Sequence, residues 1–341
     1  MNRSVLIVGG AGYIGSHMVK ILNDAGYRTT VFDNLFRGFR DAVMTDDFVQ
    51  GDLLDVSDLR DLFQSRTFDV VMHFSALCYV GESVQYPHMY YRNNVEGTVN
   101  LLNVMKEAGV NKFVFSSSCA VYGVPGAIPI TEDQPKNPVN PYGWTKLFVE
   151  QILNDSAHAH GLRSISLRYF NAAGLDPEGV LGERHDPETH IIPLVLKEAL
   201  RVQHGGKPED TTLHVFGDDY NTPDGTCIRD YIHVQDLCDA HTAAMNLLLE
   251  EQVNGAEAFN LGNGKGFSVK EVIEACRRVT GIDIRYKVAE RRPGDPPRLV
   301  GSAEKAKRIL GWNPLYIELD RIIETAWRWF SSQSRKSLPL S

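Results

Sequence analysis

A glycine-rich turn near the start of the chain constrains the fold more than any other sequence feature. Gly9, Gly12 and Gly15 directly follow the continuous apolar run Ser4–Val8 and precede a helical pattern that ends near Gly26. A strand buried on both faces, a tight turn and a helix N-terminus are together the parts of a βαβ unit that holds a pyrophosphate. The turn therefore predicts a dinucleotide site at the carboxyl end of the first strand.

Strand-like and helical segments alternate through the first half of the chain. Further strands are expected at Arg28–Phe32, Phe48–Gln50, Asp69–Phe74, Lys112–Ser117 and Ser164–Tyr169, and helices at Ile14–Ala25, Asp58–Gln64, Met89–Ala108 and Tyr142–His160. This alternation predicts an α/β fold with a Rossmann-type doubly wound parallel sheet and right-handed crossovers.

The pattern of the sequence changes at a Gly-, Pro- and Asp-rich stretch, 171–189, which is typical of a loop; beyond it, short strands mix with helices. We expect an NAD-binding domain over residues 1–178 and a smaller mixed α/β substrate lobe over 179–330. Segments such as Ala258–Leu261 are expected to return to the first sheet. A Ser-rich tail, 331–341, is expected to be unstructured.

Composition excludes several classes of function. The 341 residues carry a net charge of −8, and no run of Lys and Arg exceeds two residues, so nucleic acid and acidic membranes are poor partners. Apolar runs stay far below the ~18 residues of a membrane span, which favours a cytoplasmic protein. The five scattered cysteines form no C-x-x-C, and no H-E-x-x-H is present, so we expect reduced thiols and no metal site.

An acidic residue follows the second expected strand at the spacing that a dinucleotide site requires. Asp33 can accept hydrogen bonds from both ribose hydroxyls of an adenosine. It would repel a 2′-phosphate by about 4 kcal/mol per unit charge at 4 Å, which favours NAD over NADP. Arg37 lies nearby and keeps NADP as an alternative. Asp52, after the third strand, is placed to meet the adenine, although Asp is also a common turn residue.

Tyr142 and Lys146 form a Y-x-x-x-K pair on one face of an expected helix. A lysine ammonium about 6 Å away favours the phenolate by about 2.8 kcal/mol, roughly two pKa units. Such a tyrosine could remove a hydroxyl proton while a hydride leaves the same carbon. The alternative is a solvated helix face, against which stand the glycine turn and the serine run 116–118 at the end of a strand.

With these three features in place, the chain resembles the extended short-chain dehydrogenase/reductase family over residues 1 to about 330. The more specific stretches are GGAGYIGSH (9–17), VGESV (80–84), NNVEGT (93–98), SSSCAVYG (116–123), YFNAAG (169–174), DPETHIIP (186–193), FGDDYNTPDGTCIRDYIHV (216–234) and RPGD (292–295). The glycine turn marks only the superfamily, whereas DGTCIRDYIH and DPETHIIP are much narrower.

The resemblance implies roles at matching positions. Tyr142 would be the catalytic acid/base, Lys146 its modulator, and Ser118 a hydrogen-bond partner of the reacting hydroxyl. The residues that would hold NAD are Gly9, Gly12, Tyr13, Ile14, Gly15, Asp33, Asn34, Asp52, Leu53, Phe74, Asn93, Ser116, Tyr142, Lys146 and Tyr169. Those that would hold a sugar nucleotide are Ser118, Tyr142, Asn171, Phe216, Arg229, Tyr231, Arg292, Asp295 and Leu299.

Some of these residues have simpler structural explanations. Arg229 could form an ion pair with Asp230, and Arg292 could be a surface charge. Fork-shaped guanidinium groups nevertheless suit a diphosphate, and an acidic chain needs such local cations. Tyr122 and His233 are expected to be structural.

The chain departs from the family pattern at three positions. Cys78 stands where many relatives have a lysine that reaches the cofactor, so one cofactor contact is missing. Ser75 stands where alanine is usual. Leu299 occupies the position that closes the sugar pocket, where a tyrosine excludes N-acetylhexosamines and a small residue admits them. Leucine is intermediate, and the sequence leaves this choice open.

The function implied by the resemblance is reversible inversion at C4 of a UDP-hexose, UDP-glucose or UDP-galactose, through a 4-keto intermediate with bound NAD. The alternatives are a dehydratase, a decarboxylase, an epimerase of UDP-N-acetylhexosamines, or a non-catalytic NAD-binding regulator. Cys119 and Ala120 stand where dehydratases carry an acid/base pair. A homodimer is expected through helices near Tyr91–Ala108 and Tyr142–His160.

Overall fold

A parallel sheet of seven strands forms the centre of the chain. The computed structural model describes residues 3–292 and 295–336. Its strands are β1 (Ser4–Val8), β2 (Arg28–Asp33), β3 (Phe48–Gln50), β4 (Val70–His73), β5 (Lys112–Ser118), β6 (Arg163–Tyr169), β7 (Asn171–Ala173), β8 (His214–Phe216), β9 (Ile228–Arg229), β10 (Tyr231–His233), β11 (Ala256–Leu261), β12 (Phe267–Ser268), β13 (Lys287–Ala289) and β14 (Arg298–Leu299). The sheet order is β11-β6-β5-β4-β1-β2-β3, and every neighbouring pair is parallel. The predicted Rossmann-type fold is confirmed.

Helices cover both faces of this sheet and build the lobe. They are α1 (Tyr13–Asp24), α2 (Val56–Ser65), α3 (Val80–Gln85), α4 (Pro87–Tyr90), α5 (Gly97–Glu107), α6 (Pro141–His160), α7 (Ile191–Gln203), α8 (Val234–Leu249), α9 (Val269–Thr280), α10 (Glu304–Leu310) and α11 (Leu319–Lys336). A π-helical stretch, Tyr91–Glu96, joins α4 to α5. No helix among the described residues is long and apolar enough to cross a membrane.

The first strand shows why the sheet is covered on both faces. Val5 and Ile7 belong to the core between the sheet and α1 and α8, whereas Leu6 and Val8 belong to the core beneath α2, α5 and α6. All four side chains are buried. Because successive side chains of a strand point to opposite faces, a continuous apolar run requires two cores. Each fully buried Leu or Ile contributes roughly 1.5–3 kcal/mol.

The lobe has its own core, in which α7, α9 and α11 pack together. Short strand pairs join it to the main sheet: β7 continues from β6 and pairs with β10. Strand β11 pairs with β6 and completes the main sheet, so the expected return of Ala258–Leu261 is confirmed. The lobe thereby meets the carboxyl ends of the parallel strands, where α/β proteins bind ligands.

The structure differs from the prediction in three places. Helix α11 continues to Lys336, so the expectation of an unstructured tail is wrong for 331–336, while 337–341 lie outside the described residues. The stretch read as a loop opens with β7, whose backbone pairs with β10. The short helices α3 and α10 were not predicted, because both are too short to show a clear helical period.

Candidate active site

The turn between β1 and α1 holds space that any side chain would fill. Gly9 has a φ of +84°, and a Cβ on it would lie 2.5 Å from the backbone nitrogen of Ser75. A Cβ on Gly15 would overlap the carbonyl oxygen of Gly9. Gly12 precedes α1 and makes no side-chain cap, so the first N–H groups of the helix are left for an anion. The turn fits a pyrophosphate.

The carboxyl end of β2 is arranged for an adenosine. Asp33 accepts backbone N–H groups from Ala11 at 3.0 Å and Leu35 at 2.8 Å, one on each oxygen. Burial raises the pKa of Asp33, while these two bonds oppose the shift. Asn34 donates to Asp52 at 3.0 Å, which ties the ends of β2 and β3 together. The remaining lone pairs of Asp33 can accept ribose hydroxyls.

Arg37 does not stand free for a 2′-phosphate. Its Nη2 lies 2.8 Å from Oε1 of Glu82, and its Nη1 donates to the carbonyl of Asp186 at 2.6 Å. Since one face of the guanidinium is already paired with a carboxylate, Arg37 offers little to a second anion. This arrangement favours NAD over NADP, as Asp33 does.

The three predicted catalytic side chains meet at one end of the cleft. Ser118 ends β5, its hydroxyl accepts the N–H of Ala120 at 3.1 Å, and it lines the same cleft as Tyr142. Asn140 caps α6 by accepting the N–H of Gly143 at 2.8 Å, which sets the position of the first turn. Lys146, one turn further on, is buried and lies 5.8 Å from the centre of the Tyr142 ring.

The expectation that Lys146 lowers the pKa of Tyr142 is wrong for the chain without its cofactor. Burial raises the pKa of Tyr142 well above its usual value, and the hydrogen bond from Ser118 only partly offsets this. Burial also lowers the pKa of Lys146 to about 8. The ammonium donates to the carbonyl of Ser116 at 2.7 Å instead of to the phenol. Desolvation therefore outweighs the charge of the lysine, and ionising the phenol needs a second cation.

A cleft of about 330 Å³ brings most of the predicted residues together. From those assigned to the cofactor and the reaction, it is lined by Gly9, Gly12, Tyr13, Ile14, Gly15, Asp33, Asn34, Phe74, Asn93, Ser118, Tyr142, Lys146, Tyr169 and Asn171. Cys78 and Ser75, two of the departures from the family pattern, also line it. The glycine turn, Asp33 and the Ser–Tyr–Lys group thus line a single cleft.

Three predicted cofactor residues lie behind this lining. Leu53 is buried and packs against Gly97: a Cβ added to Gly97 would lie 3.0 Å from the Cβ of Leu53. Ser116 is buried, and its hydroxyl bonds to the phenol of Tyr169. Asp52 holds Asn34 in place. These residues support the cleft wall without lining it.

The predicted nucleotide-binding residues form a second group in the lobe. Asp295 forms an ion pair with each of two arginines: Oδ1 lies 2.9 Å from Nη2 of Arg229, and Oδ2 lies 2.9 Å from Nη2 of Arg292. Arg292 also lies over the ring of Phe216, 5.2 Å from its centre, and that ring is 43% exposed. Arg229 therefore does not pair with Asp230, because Asp230 accepts three backbone N–H groups instead.

Tyr231 and Leu299 occupy less direct positions. Tyr231 is buried in the lobe core, and its backbone pairs with Asn171. Leu299 packs against a small cluster that contains Tyr122 and Phe170. Tyr122 is buried and donates to Asn260 at 2.7 Å, while His233 caps α8, so both are structural as predicted.

Sequence reasoning missed the loop that forms the remaining wall. Arg184, His185 and His190 line the cleft together with Tyr79. Arg184 lies 2.5 Å from Asp41, which joins the loop to the region after β2. The available signal was the narrow stretch 186–193, which was noted only as a family marker.

The fold and the site define a class: an enzyme that binds a dinucleotide in a cleft lined by a serine, a tyrosine and a lysine, Ser118, Tyr142 and Lys146. The glycine cradle, the uncapped N-terminus of α1 and Asp33 fit the pyrophosphate and ribose of NAD, and no side chain of residues 3–292 and 295–336 fills the space between them.

Comparison with known proteins places the chain within this class. Residues 5–262 match the NAD dependent epimerase/dehydratase family. The UDP-glucose 4-epimerase of Halalkalibacterium halodurans is 51% identical over 326 residues, which are 96% of this chain and 95% of that protein. The crystal structure of the Brucella ovis UDP-glucose 4-epimerase in complex with NAD has a TM-score of 0.90 at 48% identity, covering 96% of this chain and 98% of that one. That of the Bifidobacterium longum enzyme with NAD⁺ and UDP has a TM-score of 0.88 at 38% identity, with the same coverage.

The chain belongs to the NAD-dependent epimerase/dehydratase family, and its cofactor is NAD.

Proposed function

We propose that this chain interconverts UDP-glucose and UDP-galactose by reversible inversion at C4. The observation that carries the proposal is that Ser118, Tyr142 and Lys146 line the same cleft as the glycine turn. Relatives that are 46–51% identical over 96–97% of this chain are named UDP-glucose 4-epimerases.

Proton transfer is the task of Tyr142. Its phenolate takes the proton of the C4 hydroxyl, and Ser118 holds that hydroxyl in reach. When bound, NAD accepts a hydride from C4 and later returns it to the opposite face. The oxidised nicotinamide is a cation, and it supplies the positive charge that the buried phenol needs in addition to Lys146.

Inversion requires that the hexose turn over while its nucleotide stays bound. Asp295 pairs with both Arg229 and Arg292, so a diphosphate that binds these guanidinium groups shares them with this carboxylate or displaces it. Phe216 offers an exposed ring for the uracil. The 4-keto intermediate swings about its link to the diphosphate and presents its other face to Tyr142.

A dehydratase is not favoured by the residues after Ser118. Burial raises the pKa of Cys119 to about 12, so its thiol holds its proton at neutral pH. Ala120 has no proton to exchange. Neither can carry protons at C5 and C6, which elimination of water requires.

We further propose a homodimer that forms through α5 and α6. Phe148 on α6 is 41% exposed, and its ring lies 6.0 Å from that of Tyr91 and 5.5 Å from that of Trp144. An exposed aromatic group of this kind is typical of a protein interface.

All five cysteines are free thiols, which fits a reducing compartment, the cytoplasm.

The division into domains is part of this proposal. The NAD-binding domain comprises residues 1–178, and the UDP-sugar lobe lies mainly in 179–330. Helices α8 and α10 and strand β11 pack with the first domain, although they lie in the second half of the chain.

The test is to incubate the protein separately with UDP-glucose and UDP-N-acetylglucosamine and to identify products by proton NMR and mass spectrometry. We expect a mixture of C4 epimers from UDP-glucose, with no loss of mass. A stable ketone, loss of water or release of carbon dioxide would exclude epimerisation. The second substrate decides whether Leu299 leaves room for an N-acetyl group.

A further inference from the structure

Four potential metal ligands converge in the loop before α7. They are Glu183, His185, Glu188 and His190, and their nearest ligand atoms all lie within 4.8 Å of one another. Oε1 of Glu183 lies 3.1 Å from Nδ1 of His185 and 2.8 Å from Nδ1 of His190. Oε1 of Glu188 lies 3.8 Å and 3.4 Å from the same two nitrogens. The spacing E-x-H-x-x-E-x-H matches none of the motifs that would have predicted a metal.

These contacts do not satisfy the polar atoms that make them. Both carboxylate side chains are only 4% exposed. Oε1 of Glu183, Oε2 of Glu188 and both Nδ1 atoms are buried, and none has a hydrogen-bond partner among the described residues. The imidazole nitrogens lie close to the carboxylate oxygens, but the angles at these atoms do not meet those of a hydrogen bond. Buried unpaired atoms of this number call for a ligand.

One carboxylate is already held in the orientation that a ligand needs. Oε1 of Glu188 accepts the backbone N–H groups of Thr189 and His190, both at 2.9 Å. The nearest further cation is Lys197, whose ammonium lies 3.9 Å from Oε2 of the same residue. That separation is too long for a hydrogen bond, so Lys197 does not satisfy the cluster.

The distances fit tetrahedral coordination. Bonds of ~2.0–2.1 Å from Zn²⁺ to nitrogen and oxygen imply ligand atoms about 3.3 Å apart, and the four distances above scatter around this value. Two imidazoles and two carboxylates also neutralise a divalent ion. Imidazole suits Zn²⁺ and its first-row neighbours, whereas Mg²⁺ and Ca²⁺ prefer oxygen alone.

We propose that Glu183, His185, Glu188 and His190 bind one divalent transition-metal ion, with Zn²⁺ the best fit. The ion fastens the loop to the start of α7 and so fixes the cleft wall that packs against Tyr13 of α1. The ring of His185 lies between those of Tyr13 and Tyr79, with centres 6.3 Å and 6.0 Å away. The role is structural, and it does not depend on which sugar nucleotide the enzyme uses.

The test uses full-length protein produced without a polyhistidine tag or chelator. Elemental analysis should find about one equivalent of Zn²⁺ per chain. Titration of the metal-depleted protein with Zn²⁺ should show one tight site, and Co²⁺ should give the visible absorption of tetrahedral coordination. Both H185N and E183Q should weaken Zn²⁺ binding about 100-fold or more, because each removes a ligand.

The control is H158N, which removes an exposed imidazole at the end of α6. It should leave Zn²⁺ binding unchanged. The proposal is overturned if the depleted wild-type protein binds no Zn²⁺, which would make the cluster a network of protonated histidines and carboxylates. It is equally overturned if H158N lowers binding as much as H185N does, since the metal would then be adventitious. Circular dichroism separates loss of a ligand from loss of the fold.

Discussion

At the scale of single residues, burial decides the chemistry of the site more than charge does. Tyr142 and Lys146 stand one helical turn apart, and from the sequence the lysine was expected to ionise the tyrosine. In the structure the lysine donates to Ser116, and burial disfavours the charged form of both groups: it raises the pKa of Tyr142 and lowers that of Lys146 to about 8. The pair could be found from sequence spacing, but its electrostatics could not, because burial is a property of the whole fold.

Replacing the catalytic phenol gives the first prediction. Y142F should lower kcat for UDP-glucose by about 10²- to 10⁴-fold, since it removes the proton acceptor and leaves the ring in place. Bound NAD should stay near the wild-type amount. Y86F, which changes an exposed tyrosine outside the cleft, is the matched control and should retain activity. Equal rates for Y142F and wild type would remove Tyr142 from the mechanism.

The lowered pKa of Lys146 predicts how stability depends on pH. Lysine has a pKa of ~10.4 in an unfolded chain and of about 8 in this protein without cofactor. Between these values the unfolded chain binds more protons, so the free energy of unfolding rises with pH. Relative to K146M, cofactor-free wild type should gain up to about 1.4 kcal/mol per pH unit in this range. Urea denaturation measures the difference, and a constant difference would contradict a buried neutral lysine.

At the scale of elements, strands and long helices could be predicted because their apolar periods are unambiguous. Strands β1 and β3 have the predicted bounds, and α6 begins one residue earlier than expected. The loop 183–190 could not be placed, because nothing in its composition says that it folds back over α1. Its contact with the first domain depends on single pairs such as Arg184 with Asp41.

The glycine turn provides a prediction at this scale. G15A should reduce the NAD bound per chain at least tenfold, or ~1.4 kcal/mol of binding free energy, because a Cβ would push the carbonyl of Gly9 into the pyrophosphate site. G81A is the control, since a Cβ on this helical glycine meets nothing within 4 Å. Absorbance and mass spectrometry of the released cofactor measure occupancy. Normal NAD content in G15A would show that the turn does not hold the pyrophosphate.

At the scale of the whole molecule, the parallel sheet and the lobe meet at one cleft. The sheet brings the glycine turn, Asp33 and Ser118 to a single edge, whereas the arginine pair lies in the lobe and does not line the cleft. The sequence led us to expect a separate lobe from the change in composition after residue 178, and that boundary stays a prediction. The sequence did not predict that Asp295 would hold both arginines, because residues 66 positions apart in the chain meet only in the folded lobe.

The proposed homodimer is tested by a charge on α6. F148E should raise the dimer dissociation constant at least about 100-fold, because desolvating a carboxylate at the interface is costly. I309E places the same charge on α10, where the isoleucine is similarly exposed, and should leave the dimer intact. Sedimentation velocity of the F148E and I309E variants measures the fraction of dimer in each. A dimer that survives F148E would place the interface elsewhere.

The central claim is that C4 is oxidised and reduced again within one binding event. The most direct measurement is proton NMR and mass spectrometry of UDP-galactose formed from UDP-glucose that carries deuterium at C4. The account predicts that deuterium stays at C4 of the product, because the hydride returns to the carbon it left. Replacement of deuterium by solvent hydrogen would contradict it.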